Sequence, residues 1–188
     1  VPSVNDFGAA MLVLVVGPSG AGKDTLLDLA RSALEGDGRF RFVRRVITRP
    51  AEAGGEAHEA VTRGQFAARR FALRWHAHGI DYGIPEEVEA DLAAGRIVVA
   101  SVSRGVIAEA ASRYDVRVIV VTAPPALLAA RLAARARENA ADIASRLARD
   151  VPLPEGVSVE TVMNDSTLDD GANRFLAALN RAVRSVQQ

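Results

Sequence analysis

No cysteine occurs in the 188 residues, so neither a disulfide framework nor a thiolate metal site is available. No apolar run approaches the roughly 18 residues needed to span a bilayer. The N-terminus lacks the basic-then-apolar order of a signal peptide. An excess of charge is also missing. The chain carries 23 basic and 23 acidic residues, and its formal net charge is zero. That gives no general electrostatic pull toward nucleic acid or an acidic membrane. These absences lead to the expectation of a soluble cytoplasmic protein with neither a nucleic-acid nor a membrane partner. Residues 1–10 show no clear pattern and precede the first methionine, Met11. They are expected to be a frayed leader or an artificial extension. The length suits one domain over residues 11–188.

Lysine is nearly absent as well. Lys23 is the single lysine, and the other 22 basic residues are arginine. Codon bias accounts for the general excess of arginine. Its failure to take over position 23 indicates a place where a fork-shaped guanidinium does not substitute for a compact ammonium. The surroundings say why. Gly17-Pro18-Ser19-Gly20-Ala21-Gly22-Lys23-Asp24-Thr25 follows an unbroken apolar run, Met11 to Val16. It precedes a helix-like stretch from Lys23 to Leu34. Strand, glycine-rich turn, lysine and helix form the phosphate-cradling loop of nucleoside triphosphatases. Glycines let backbone N–H groups converge, and the helix N-terminus adds partial positive charge. Residues 17–25 are therefore expected to bind ATP, with Lys23 reaching its β- and γ-phosphates.

The remaining pattern alternates strand-like and helix-like runs. Strands are predicted at Met11–Val16, Phe42–Ile47, Ile97–Ser101, Val116–Thr122 and Val157–Met163. Helices are predicted at Thr62–Arg70, Pro85–Ala94, Val106–Arg113, from Pro125 to about Ala136, Asn139–Arg149, and from Leu168 onward. Short strands Phe71–Trp75 and Tyr82–Ile84 are expected to pair around Gly79. Continuous rather than alternating apolar strands indicate an α/β fold: a parallel sheet with helices on both faces. A ligand then sits at the carboxyl ends of the strands. Residues 49–84 break the alternation and read as a small insertion over that site.

Five arginines, Arg131, Arg135, Arg137, Arg146 and Arg149, crowd the stretch 131–149. A solvated face partly paired to Glu138, Asp142 and Asp150 is one reading. The other is an arginine-rich helical lid in which Arg135, Arg137 and Arg146 neutralise the transferred phosphoryl group, with closure excluding water.

These features resemble guanylate kinases. The resemblance rests on Gly17-Pro-Ser-Gly-Ala-Gly-Lys-Asp-Thr-Leu-Leu, Ile47-Thr48-Arg49-Pro50, His78-Gly79-Ile80-Asp81-Tyr82-Gly83, the arginine cluster and Met163-Asn164-Asp165. It implies that Arg49 and Tyr82 hold the phosphate of an acceptor. The chain departs from that family at Ala51-Glu52, where a second arginine is expected, and at Leu73, where a base-reading glutamate is expected. The chain is more similar to ribose 1,5-bisphosphate phosphokinases of bacterial phosphonate utilisation. That similarity lies in Asp24 after the lysine, Ile47-Thr48-Arg49, Ala53-Gly54-Gly55-Glu56-Ala57-His58, Leu73-Arg74-Trp75-His76-Ala77-His78-Gly79 and Arg137-Glu138-Asn139-Ala140. It implies ATP-dependent phosphorylation of the 1-phosphate of ribose 1,5-bisphosphate, giving 5-phosphoribosyl 1-diphosphate. The implied partner is a small phosphosugar, with the chain a monomer or homodimer. Guanylate or another nucleoside-monophosphate kinase is the alternative, and a non-catalytic guanylate-kinase-like module is a further one.

An acceptor phosphate oxygen is already ionised near neutral pH, since its second pKa is about 6, so no general base is required. A carboxylate beside a triphosphate needs a cation between them, which assigns Mg²⁺ to Asp24, with Thr25 as the alternative ligand. Arg49, Glu56, His58, His76, His78, Tyr82, Gly83, Ser103 and Arg104 are the expected acceptor contacts. The three histidines also invite a zinc reading, but no recognisable ligand pattern completes it. A helix-capping Ser103 and a surface Arg104 are the plainer alternative at that pair.

Overall fold

The computed structural model describes residues 10–50, 57–134 and 152–184. In chain order its elements are β1 (Met11–Val16), α1 (Lys23–Ala33), β2 (Phe40–Phe42), β3 (Val46–Ile47), β4 (Glu59–Ala60), α2 (Arg63–Ala67), β5 (Phe71–Ala77) and β6 (Ile80–Pro85). There follow α3 (Val88–Ala93), β7 (Ile97–Ser101), α4 (Ile107–Ala111), β8 (Val116–Thr122), α5 (Pro125–Ala134), β9 (Ser158–Met163) and α6 (Leu168–Arg184).

Five strands form one parallel sheet in the order β2-β7-β1-β8-β9. Its centre is β1, every residue of which is buried. Alternate side chains leave opposite faces, so one run of six apolar residues serves two cores. Met11, Val13 and Val15 pack with Ile97, Val99, Ile119 and Val121 beneath α1 and α6, against Leu26, Phe175 and Leu179. Leu12, Leu14 and Val16 pack on the other side with Val98, Val118 and Ile107. Apolar positions Phe175, Ala178, Leu179 and Ala182 give α6 its buried stripe. Asp169 and Asp170 in its first turn and Arg181 and Arg184 in its last complement the helix dipole. Among the described residues no helix is long and apolar enough to cross a membrane.

A second, mixed sheet, β4-β3-β6-β5, occupies most of the region read as an insertion. Its Ala72, Leu73 and Ile84 enter the second core cluster, so it is docked on the main sheet by apolar contact. The capping box at α2 is complete: Thr62 accepts from the Gln65 N–H, and the Gln65 side chain accepts from the Thr62 N–H.

The single strand predicted over Phe42–Ile47 is in fact two, in different sheets. Phe40–Phe42 runs parallel to Ile97–Val99, while Val46–Ile47 runs antiparallel to Tyr82–Gly83. The chain leaves the first sheet after the Val43 N–H bonds to the Val99 carbonyl at 2.9 Å. The polar pair Arg44-Arg45 makes the crossing. The predicted helix start at Pro85 is also corrected. Pro85 closes β6 opposite Phe71, and α3 begins at Val88. Proline suits a strand end as well as a first helical turn, because both leave its missing N–H unneeded. Most of the arginine-rich stretch, including Arg135, Arg137, Arg146 and Arg149, lies outside the described residues, as does Glu56.

Candidate active site

The phosphate loop leaves the end of β1 and turns into α1 through left-handed backbone. Gly20 has φ 85° and Gly22, the residue capping α1, has φ 88°. Only glycine occupies such positions without strain. Gly17 is held for a different reason: a Cβ there would overlap the Val121 carbonyl oxygen at the end of β8. The loop is therefore clamped against the sheet. Lys23 Nζ donates to the carbonyls of Gly17 at 2.7 Å and Pro18 at 3.1 Å. Its ammonium thus lies under the loop that the backbone N–H groups line.

Asn164, just past β9, supplies a second clamp. Its side-chain amide donates to the Ala21 carbonyl at 2.8 Å, and its backbone N–H donates to the Thr122 carbonyl at 2.8 Å. Its amide oxygen faces Gly171 of α6, where a Cβ would collide with it. Asn164 is only 7% exposed. It joins the loop, β8, β9 and α6 at one point. Arg131 adds a longer bond from its guanidinium to the Gly20 carbonyl, 3.3 Å.

Asp24 and Thr25 follow Lys23 in the first turn of α1. Asp24 is partly exposed, and its carboxylate lies 3.9 Å from the Arg45 guanidinium. Among the described residues no group of three acidic, histidine or cysteine side chains forms a protein-only metal site. A single carboxylate beside a phosphate loop fits Mg²⁺, which keeps several waters and takes its other ligands from phosphates.

Arg45 also connects the loop to the second sheet. Its guanidinium lies over the Tyr82 ring, 5.6 Å from the centroid. Tyr82 in turn stacks on Trp75 at 5.4 Å, nearly parallel. Asp24, Arg45, Tyr82 and Trp75 thus form a continuous chain of contacts from the phosphate loop to the β5–β6 hairpin. Arg49 presents a chemically distinct feature. Its Nε and Nη2 are buried with no hydrogen-bond partner among the described residues. Buried guanidinium nitrogens of that kind are costly unless an anion satisfies them. The His58 ring Nε2–H donates to the Arg49 carbonyl at 3.0 Å, fixing the backbone that carries this side chain.

The other expected acceptor residues divide. His76 Nδ1–H donates to Asp81 at 2.7 Å, and the Asp81 N–H donates to the Thr48 hydroxyl at 2.9 Å. This network rigidifies the edge beside Arg49. His78 has φ 54° and Gly79 φ 73°, so the pair makes the two-residue turn of the hairpin. A Cβ at Gly83 would overlap the Phe71 ring, so packing explains that glycine. Leu73, where a base-reading glutamate was expected in guanylate kinases, is 1% exposed in the core. Its apolar character has a packing cause. Ser103 and Arg104 begin a 3₁₀ turn after β7, at the carboxyl end of the sheet. Sequence reasoning passed over Arg45 and Ser101. Arg45 stands in no motif, and Ser101 ends an apolar strand.

No protein-family model matches the chain. A guanylate kinase from Anaplasma phagocytophilum superposes with a TM-score of 0.62 at 20% identity, covering 96% of this chain and 89% of that one. That likeness shows the fold. The ribose 1,5-bisphosphate phosphokinase of Acidiphilium cryptum is 52% identical over 170 residues, 90% of this chain and 92% of the relative. That of Methylobacterium radiotolerans is 50% identical over 89% of this chain and 96% of the relative. A bifunctional ribose 1,5-bisphosphokinase-thymidine phosphorylase of Azorhizobium caulinodans is 51% identical over 92% of this chain. The chain spans only 26% of the length of that larger protein. Identity of this degree, extending nearly end to end through single-function relatives, settles the kinship: the chain belongs to the ribose 1,5-bisphosphate phosphokinase family.

Proposed function

We propose that the protein transfers the γ-phosphoryl group of ATP to the 1-phosphate of ribose 1,5-bisphosphate, giving 5-phosphoribosyl 1-diphosphate and ADP. The observation that carries this is the 45–52% identity to curated ribose 1,5-bisphosphate phosphokinases over about nine-tenths of the chain. The orphaned nitrogens of Arg49 support an anionic acceptor group beside the second sheet.

In this reading an oxygen of the 1-phosphate attacks the γ-phosphorus. The bond from that phosphorus to the bridging oxygen breaks, and ADP leaves with the electron pair. No proton is removed from the acceptor, so the protein's task is positioning and charge neutralisation. The loop from Gly17 to Gly22 cradles the triphosphate, and Lys23 turns from its own loop carbonyls to the β- and γ-oxygens. Arg49 and the Tyr82 hydroxyl hold acceptor phosphate oxygens, and His58 keeps Arg49 in place. Asp24, with Thr25 as the alternative ligand, would hold Mg²⁺, which would supply charge neutralisation toward the triphosphate. Arg135, Arg137 and Arg146 are proposed to neutralise the transferred group from the remaining side. Glu56, His76, His78, Ser103 and Arg104 are proposed as contacts to the sugar and its second phosphate.

A coupled ADP-release assay with ribose 1,5-bisphosphate against GMP tests the proposal. Turnover with the sugar bisphosphate and none with GMP is the expected result. Strong turnover with GMP and none with the sugar bisphosphate would overturn it in favour of a nucleoside-monophosphate kinase.

A further inference from the structure

A cleft opens between α1 and the carboxyl ends of β2 and β7, beside the phosphate loop. Asp24, Asp28, Arg31, Phe42, Arg45 and Ser101 are among the residues that line it. Ser101 is the unexpected member. Its neighbours on the same strand face are Ile97 and Val99, both in the apolar core under α1. Ser101 continues that face, where another aliphatic side chain would complete the core. Instead it carries a hydroxyl that is buried, in a residue only 4% exposed, with no hydrogen-bond partner among the described residues. Most serines in such a position donate back to a nearby carbonyl; this one does not. Ser101 also lies level with Val15 in the sheet ladder, two residues before Gly17. Ser101 therefore lines the cleft level with the start of the phosphate loop.

The charges around the cleft limit what it takes. Asp24 faces Arg45 at 3.9 Å, and Asp28 accepts from Arg31 at 2.9 Å. Each carboxylate on the wall already has its guanidinium, so the walls sum to no charge. A phosphate would gain little from walls that sum to no charge. A neutral body carrying hydroxyls suits the cleft better. It satisfies Ser101 from the floor, meets carboxylate oxygens at the rim and lies against Phe42.

Taking the acceptor to be the phosphosugar proposed above, we infer that Ser101 is a specificity-determining residue that hydrogen-bonds a ring hydroxyl of the sugar. The two phosphates then lie outside the cleft on either side of the ring. This places recognition of one ring hydroxyl at the end of β7, in addition to the sugar contacts proposed above for the hairpin.

The test uses the full chain and the variants Ser101→Ala and Ser101→Thr. With ribose 1,5-bisphosphate, Ser101→Ala is expected to raise the acceptor KM about threefold to tenfold, the range of one neutral hydrogen bond. The KM for ATP should not move, and Ser101→Thr should restore most of the acceptor affinity. Removing an unpartnered buried hydroxyl should leave the melting temperature unchanged or higher, whereas a structural role would lower it. The 2-deoxy and 3-deoxy analogues complete the test. For the analogue lacking the hydroxyl that Ser101 contacts, wild type and Ser101→Ala should have equal KM values. If wild type turns over the sugar bisphosphate but Ser101→Ala has its normal KM, the inference fails and the activity stands. It fails equally if neither analogue equalises the two proteins. If wild type does not turn over the sugar bisphosphate, the activity fails and the inference falls with it.

Discussion

At the scale of single residues, the strongest constraint is on Lys23. Its ammonium has two loop carbonyls within hydrogen-bond distance, at 2.7 and 3.1 Å. A guanidinium is planar and wider, and it cannot enter beneath the same loop with the same geometry. Lys23→Arg is therefore expected to resemble Lys23→Ala in losing about 10²- to 10³-fold in kcat, the usual cost of one preorganised electrostatic contact. Steady-state kinetics on both variants decides it; a Lys23→Arg protein with near-normal kcat would contradict the account. Asp24 makes a second case. It touches Arg45 across the cleft, and Mg²⁺ would compete with that guanidinium for the carboxylate. Asp24→Ser should shift the Mg²⁺ dependence of the rate to higher concentration, and unchanged metal dependence would remove Asp24 from the metal site. Both residues were legible in the sequence because the phosphate-loop spacing is a local pattern. Arg45 was not. It acquires meaning only when Val46–Ile47 leaves the main sheet and brings Tyr82 under its guanidinium.

Elements position those residues, and the ends of the strands matter more than their middles. β1, β8 and β9 finish side by side, and the phosphate loop is pinned at that edge by Gly17 against Val121 and by Asn164 against Ala21. Asn164→Ala would leave the Ala21 carbonyl without its buried partner and open space beside Gly171. The expected loss is about 1–3 kcal/mol, or several degrees in Tm for a domain of this size. It should come with a raised KM for ATP and an unaltered acceptor KM. Calorimetry and initial rates on the variant check both parts, and an equal rise in both KM values would refute the loop-specific role. The three central strands β1, β7 and β8 were readable from continuous apolar runs, since a strand buried on both faces needs no polar alternation, whereas β2, with Arg41 between two phenylalanines, was merged with β3. The second sheet was harder. β3 and β4 have two residues each, too few to show any periodicity. Their pairing is set by long-range partners such as Tyr82 and by the Thr48–Asp81 bonds. Pro85 misled for a related reason: its ring suits a strand end and a helix start alike.

Across the whole molecule, the second sheet is held to the first by shared core and by one polar lock. Arg113, after α4, donates to the Ala72 carbonyl of β5 at 2.6 Å and to Glu89 of α3 at 2.8 Å. The Tyr114 hydroxyl donates to the same Glu89 carboxylate at 2.5 Å. Burial, together with that carboxylate, pushes the Tyr114 phenol from its ordinary value near 10 up to about 12. The folded state therefore holds this proton more tightly than the unfolded chain. Stability from Tyr114 is complete below pH 10 and is lost as pH rises through about 12. The chain's composition makes the effect unusually easy to isolate. There is no cysteine, only one lysine and only two tyrosines, so few side chains of the types that titrate at alkaline pH compete with it. Tyr114→Phe removes both the bond and the titration. At pH 7 it should cost about 1 kcal/mol, since one neutral-to-charged hydrogen bond is lost from a half-buried site. Between pH 10 and 12 its unfolding midpoint should fall less steeply than that of the wild type, and the two curves should converge. Urea unfolding of the two proteins at pH 8, 10 and 11.5 measures this. Parallel curves over the alkaline range would mean that Tyr114 ionises alike in the folded and unfolded chains. The Arg113–Glu89–Tyr114 lock would then contribute geometry alone to the docking of the second sheet.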